Sequence, residues 1–331
     1  MPFYDVWSLT QTFIADLFRS LAVADHLGTV VVILAFAVLL GMELQLTRDK
    51  RRTPTLRRSY RTNLATFLFN DLLMSLLSVA SLLVLAERYG KEGLLHQLDD
   101  SAAKATIAFV LFDLTLYLWH RANHTFDWLW TFHRVHHSDR SMNVSTAFRL
   151  SFIELLLTTA VKAVFIVATG VEAAVVAACE AVTTVFVLFH HTNMTFRAER
   201  WLRKLIIVPS LHRVHHSVRR QEHDSNYGAV FSFWDRIFGT FSEPRPVTVG
   251  LANVGGQTFL ELLRFGLPHA TSSQSTPTSS AAPAHSTPAP EMLNGMIAEA
   301  AYYRAQMRGF VPGNEINDWL VAEREIIQRF G

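Results

Sequence analysis

The chain has 331 residues, half of them hydrophobic, with a mean hydropathy of +0.20 and a formal net charge of +2. The apolar excess is too large for an ordinary soluble enzyme of this size, and the balanced charge argues against a nucleic-acid-binding protein. One cysteine, Cys179 within AVVAACEAV, excludes an internal disulfide framework and reads as a small apolar filler.

Residues 1–22 carry apolar side chains at helical spacing, with acidic residues and no basic leader ahead of the first apolar stretch. They predict an interfacial helix, not a cleavable signal peptide. A bilayer core needs about 20 mostly apolar residues per helix. Five segments approach that length: 24–46, 64–86, 104–120, 150–169 and 171–191, the last two separated only by Gly170 and able to form a tight hairpin. Residues 48–61 hold seven Lys or Arg in fourteen positions, which assigns them to the cytoplasmic side of an inner membrane. Threading onward puts 87–103 outside, 120–149 inside, Gly170 outside and everything after 192 inside, where Arg197, Arg200, Arg203, Lys204, Arg213, Arg219 and Arg220 agree with the first assignment. Every histidine from His120 to His223 then falls at the cytoplasmic face.

Residues 192–241 are polar, basic and histidine-rich, as expected of helices packed beneath the membrane part. Residues 271–290 are almost only Ser, Thr, Ala and Pro, a composition that cannot bury a core and predicts a disordered linker. The tail regains helical patterning on either side of a VPGN turn at 311–314. The expected fold is all-α, an integral-membrane helical bundle with a cytoplasmic His-rich helical cap and a small helical tail domain. The expected divisions are 1–104 (membrane helices), 105–245 (the histidine-bearing domain), 246–290 (connection and linker) and 291–331 (tail).

The 15 histidines are the compositional outlier, and the hexapeptide HRVHHS occurs twice, at 133–138 and 212–217. On a helix, positions i, i+3 and i+4 share one face. His133, His136 and His137 can therefore aim at one point, and His212, His215 and His216 at another. The sequences flanking the two copies do not match, so the repeat reads as one ligand geometry needed twice, hence two metals. WHRANH adds His120 and His124 as an i, i+4 pair, and LFHHTN adds His190 and His191, of which His191 is the expected ligand. His26, His96, His269, His285 and His223 read as incidental. Imidazole suits zinc, copper, iron and nickel. One tetrahedral zinc leaves most of these histidines unexplained, whereas two five- or six-coordinate irons use them.

Carboxylates inside a span are costly and tend to be functional. Asp113, Tyr117, His120 and His124 form one helical stripe, and Glu180, Thr184 and His191 another. Asp113, Tyr117, Glu180 and Asn226 are candidates for contacts that orient the ligating histidines, with a helix–helix polar clasp as the plainer reading of the acids. Glu154 has the same ambiguity. Trp119, Trp128, Trp130, Trp201 and Trp234 flank the histidine segments, as an interfacial aromatic belt does. A zinc hydrolase lacks support because no HExxH occurs, a carboxylate di-iron bundle because no Glu-x-x-His occurs, and a transporter because its ligands belong near the bilayer midplane.

WHRANH, WTFHRVHHSDRSMNVSTAFR, HTN, PSLHRVHHSVRRQEHDSNYG and FWDRIFGTF together resemble the fatty acid hydroxylase superfamily over about residues 105–245. That resemblance implies a membrane-bound, non-haem di-iron oxygenase that uses O2 and two electrons to hydroxylate or desaturate a lipid. It implies iron ligands among His120, His124, His133, His136, His137, His191, His212, His215 and His216, with Asn226 and Tyr227 matching a polar-aromatic pair downstream. Arg149-Leu150-Ser151-Phe152 stands where many bacterial members have Arg-Phe-His-Pro, and is more similar to the alkylglycerol monooxygenase branch. No cytochrome b5 signature is present, so the resemblance implies a separate ferredoxin- or cytochrome b5-like donor with its reductase. The tail resembles a short bacterial domain of unknown function.

Overall fold

The computed structural model describes residues 25–46, 53–76, 82–90, 92–95, 97–98, 101–244, 247–252, 254–267, 290–307 and 313–330. The expected interfacial helix at 1–22, the linker at 271–289, and His96, His269 and His285 lie outside the described residues. Among the described residues the chain is helical, with isolated bridges at Ile206/Phe231 and Ser217/Val249 in place of strands.

The first helices are α1 (Asp25–Leu46), α2 (Pro54–Leu76), α3 (Leu82–Tyr89), α4 (Ser101–Thr125) and α5 (Asp127–His137). A 3-10 turn at Val144–Phe148 leads to α6 (Phe152–Thr169) and α7 (Ala173–His191). Short helices follow: α8 (Glu199–Leu202), α9 (Pro209–His215), α10 (Arg220–His223), α11 (Phe233–Ile237) and α12 (Phe259–Phe265). The tail is α13 (Pro290–Met307) and α14 (Glu315–Phe330), packed on each other through Met296, Ile297, Ala301, Ala322 and Ile326.

Among the described residues four helices are long and apolar enough to cross a bilayer: Gly28–Gln45, Ala102–Thr125, Phe152–Thr169 and Ala173–His191. The expected span 64–86 includes residues 77–81, which lie outside the described residues; its described parts are the end of α2 and most of α3. The described part of α2 is two-sided. Ser59, Thr62, Asn63, Thr66 and Asn70 face inward at i, i+3, i+4 spacing, while Leu64, Leu68, Leu72 and Leu76 are exposed. A hydropathy window counts the outward leucines and misses that the protein side of this helix is polar.

The membrane-level core lies among α3, α4, α6 and α7, around Leu83, Ala86, Ala108, Phe112, Phe165, Ile166 and Val176. The α6/α7 hairpin turns at Gly170, whose φ of 65° is the left-handed cap that glycine adopts without Cβ strain. Gly93 presses on this turn so closely that a Cβ there would stand 2.0 Å from the Gly170 nitrogen.

Below this core, α2 is tied to the end of α5 by a buried polar network. Asp139 accepts from Ser59 Oγ at 2.7 Å, Asn63 Nδ2 at 3.0 Å and Thr146 Oγ1 at 2.8 Å. Arg149, only 2% exposed, donates to the Val135 carbonyl, Ser138 Oγ, Asn63 Oδ1 and Gln257 Oε1. Burial by itself raises the Asp139 carboxyl, but Arg149 and the donated hydrogen bonds outweigh it and hold the group below its usual value. Its stabilising contribution is therefore complete above the unfolded carboxylate value of about 3.9 and is lost as pH falls below it. Removing one partner of such a pair leaves a buried charge uncompensated. Arg149→Met is expected to cost about 3–5 kcal/mol, read as a lower denaturation midpoint of the detergent-solubilised protein at neutral pH.

Candidate metal centre

Helix α4 runs past its apolar stretch and delivers His120 and His124 on successive turns; after a break at Phe126, α5 brings His133, His136 and His137 back beside them. Helix α7 ends on His190 and His191, and α9, opened by Pro209 at its first position, carries His212 and His215 with His216 at its cap. The rings converge into two adjoining groups. The first is His120, His124, His133, His137 and His215; the second is His136, His191, His212 and His216; within each, the ligand atoms lie within 4.8 Å of one another.

This corrects the expectation that each hexapeptide aims its three rings at one point. At about 100° per residue, the i, i+4 pair stays within 40° while the i+3 member swings to the other side. His133 and His137 thus join one group and His136 the other; in the second copy His212 and His216 join one group and His215 the other. The two boxes exchange their odd histidine. His137 and His216 stack between the groups, with centroids 4.4 Å apart.

Backbone carbonyls and carboxylates set the ring orientations. His120 Nδ1 lies 2.8 Å from the Tyr227 carbonyl, His215 Nδ1 2.7 Å from that of Ser225, and His191 Nδ1 2.7 Å from that of Val187. His133 Nδ1 lies 2.6 Å from Glu154 Oε1, and His124 Nδ1 3.1 Å from Asp224 Oδ1. Each anchor makes Nδ1 the donor and leaves Nε2 as a bare lone pair inside. Those inner nitrogens crowd: His120 Nε2 is 3.2 Å from His133 Nε2, and His191 Nε2 is 3.0 Å from both His136 Nε2 and His212 Nε2. Nitrogens of His124, His136, His137, His212, His215 and His216 are also buried without a hydrogen-bond partner. Burial first, then the neighbouring imidazoles, pushes His136, His137, His212, His215 and His216 well below the ordinary histidine range, so the rings are neutral at pH 7. Converging, neutral, unprotonated nitrogens fit divalent cations and little else.

The other anticipated residues stand elsewhere. Asp113 accepts from the Val230 and Phe231 amides and from Trp234 Nε1, so it fixes the loop that carries the Tyr227 carbonyl and does not touch a histidine. Tyr117 pairs with Thr240 Oγ1, which donates to Asp235, and Asp235 accepts the Tyr227 and Gly228 amides. Glu180 clasps Lys162 of α6 at 2.7 Å, the plainer of the two readings of that acid. Asn226, at φ 55°, occupies the left-handed region that asparagine tolerates, with its amide bound to Leu211 and Ser242. It thereby turns the carbonyls on either side of it toward His215 and His120.

The sequence pattern leaves Glu154 ambiguous and gives no signal for Asp224, the two carboxylates that meet histidines. It also sets aside His190, whose buried ring lies 4.0 Å from that of His212, and His223, which stacks on Trp130 and groups with His124 and Asp224. Glu154 was findable. Ser151 caps α6 by accepting the Glu154 amide, as in a Ser-x-x-Glu capping box, but the Glu carboxylate turns to His133 instead of back to the cap.

The histidines close one end of a cavity of about 560 Å3 between α2, α4, α6 and α7, lined by Phe67, Met74, Leu116, Phe148, Leu155 and Val187 among others.

Residues 105–240 match the fatty acid hydroxylase family, and residues 293–328 match a family described as a protein of unknown function, DUF2934. The chain is 32% identical over 155 residues to an ornithine lipid hydroxylase of Rhizobium tropici, covering 46% of each protein. It is 32% identical over 147 residues to the alkylglycerol monooxygenase of Homo sapiens, covering 44% of this chain and 32% of that one. Identity to the cholesterol 25-hydroxylase of Homo sapiens is 26% over 149 residues, covering 40% and 48% respectively. The matched stretches thus span less than half of each of these three relatives. No solved structure matches the chain.

Two outcomes are expected. With bound metal stripped by a chelator, stability should fall as pH drops below about 6.5, because the unfolded histidines protonate there and the buried ones do not; a midpoint-versus-pH series checks this. For the crossed arrangement, His137→Ala with His215→Ala, drawn from different hexapeptides, should empty one site and leave about half of the wild-type metal content per chain. His136→Ala with His137→Ala, adjacent in sequence, should weaken both.

Proposed function

We propose that this chain, which carries a fatty acid hydroxylase domain at residues 105–240 and so belongs to that superfamily, is a membrane-bound di-iron oxygenase that hydroxylates or desaturates a lipid. The observation that carries the reading is the junction of two histidine groups with an apolar cavity between membrane-length helices. His120, His124, His133, His137 and His215 would hold one iron, and His136, His191, His212 and His216 the other. When bound, the irons would supply O2 activation; with two electrons from a separate donor and two protons from solvent, hydroxylation converts C–H to C–OH and releases one water.

The chain's own residues do the rest. Phe67, Met74, Leu116, Phe148 and Leu155 admit a lipid chain and exclude water around the reacting carbon. Glu154 and Asp224 hold His133 and His124 in the tautomer that points Nε2 inward. Tyr227 and Ser225 do the same through their carbonyls. The histidine groups belong on the cytoplasmic side of an inner membrane, the reading supported by Arg57, Arg58, Arg61, Arg219 and Arg220 in the segments around them.

Purified protein is expected to hold close to two irons per chain, to consume O2 with lipid and reductant, and to lose lipid turnover in His136→Ala. A single zinc without oxygen uptake would make it a hydrolase, and a Soret band a haem protein.

A further inference from the structure

The cavity wall is mainly apolar, yet besides the histidine nitrogens three of its buried side-chain atoms have no hydrogen-bond partner: Asn70 Oδ1, Glu154 Oε2 and Thr183 Oγ1. Buried polar atoms are almost always paired, and one left bare in an apolar cavity marks a place that a ligand completes. Asn70 is held in one orientation because its Nδ2 donates to the Leu150 carbonyl at 3.0 Å, which leaves Oδ1 as a free acceptor. Glu154 gives one oxygen to His133 and leaves the other bare.

These two acceptors are placed toward the metal end of the cavity, since Asn70 holds the carbonyl of Leu150, the residue just before the α6 cap Ser151, and Glu154 in the first turn of that helix touches His133. Thr183 is on α7, seven residues before His190, which places it about 10 Å deeper. Lys162 also borders the cavity, but Glu180 already neutralises it. An alkyl chain at the metal end would set methylene groups against two bare acceptors. A lipid with hydroxyl or amide N–H groups at that position would pair both.

We propose that Asn70 and Glu154 are specificity-determining residues that accept hydrogen bonds from the hydroxyl or amide N–H groups of a polar lipid, so that the oxidised carbon lies in or beside the polar linkage and not midway along an acyl chain. This rests on the oxygenase reading and names its substrate class. Thr158, a deeper polar residue of the wall, is already engaged by Trp119 Nε1 at 2.9 Å, so it does not compete for the headgroup.

The test measures equilibrium binding to the full-length protein as isolated in detergent, without turnover. The probes are two matched pairs: 1-O-hexadecylglycerol against its 2,3-di-O-methyl ether, and N-hexadecylacetamide against its N-methyl derivative. The wild type should bind the donor-bearing member of at least one pair about tenfold more tightly, the worth of one or two buried hydrogen bonds. Asn70→Leu should erase most of that preference and Glu154→Gln should reduce it. Asn70→Asp, which keeps an acceptor while giving up the bond to Leu150, should retain it and so separate a lost grip from a damaged fold. Thr183→Val should leave it in place. Equal binding within both pairs, a preference that survives Asn70→Leu, or one that is lost only in Thr183→Val would each overturn the proposal. A donor preference in protein without iron or oxygen uptake would support the acceptor pair and overturn the oxygenase reading instead.

Discussion

Imidazoles stripped of water and turned nitrogen to nitrogen are the constraint around which the rest is arranged. A neutral ring has one donor and one acceptor, so anchoring Nδ1 to a carbonyl or carboxylate commits Nε2 to be a lone pair. His120, His191 and His215 are committed by carbonyls, His124 and His133 by carboxylates. Lone pairs about 3 Å apart repel in a medium that screens poorly, and protonation of His136 and His212 is opposed by burial and by the neighbouring imidazoles. Cations between the rings would relieve that repulsion, and α5, α9 and the 225–231 loop are the elements that turn the lone pairs inward.

Much of this was legible in the sequence because helical phase is a sequence property. The i, i+4 pairs at 120/124, 133/137 and 212/216 are readable from spacing alone, and they are the pairs that stay together. The crossing of His136 and His215 was also implicit, since neighbours on a helix diverge by about 100°, but phase does not say which helices oppose each other. The same limit explains the acids. A stripe such as Asp113, Tyr117, His120 shows that side chains share a face; it does not show what fills the space opposite. There the 227–234 loop intervenes and takes Asp113, while α6 takes Glu180 through Lys162.

Helix α2 illustrates a second limit. Average hydropathy treats a helix as a cylinder, and α2 is sided in the reverse of the soluble pattern, with leucines out and amides and hydroxyls in. Its polar face is the link between membrane part and cap. Ser59 and Asn63 reach Asp139, two residues beyond His137, and Asn63 accepts from Arg149, two residues before the α6 cap Ser151. The Arg-x-Ser stretch thereby acts on both sides of the centre: the arginine braces the end of α5, and the serine starts the helix whose third residue, Glu154, meets His133.

The equivalence of the two hexapeptides ends at the imidazoles. In the first group, His133 and His124 are backed by Glu154 and Asp224; in the second, His191 is backed by the carbonyl of its own helix, while Nδ1 of His136, His212 and His216 has no partner. A carboxylate behind a ligand raises its basicity more than a carbonyl does and adds negative charge beside the ion. The two positions are thus electrostatically distinct although their ligand types are the same. One carboxylate behind the first group, Glu154, borders the lipid cavity, and the other, Asp224, is a third exposed at the protein surface. The first group therefore stands in hydrogen-bonded connection with the exterior and, through Glu154, with the cavity wall, whereas the second borders the cavity directly through His136, His191 and His212 and has no carboxylate behind it among the described contacts.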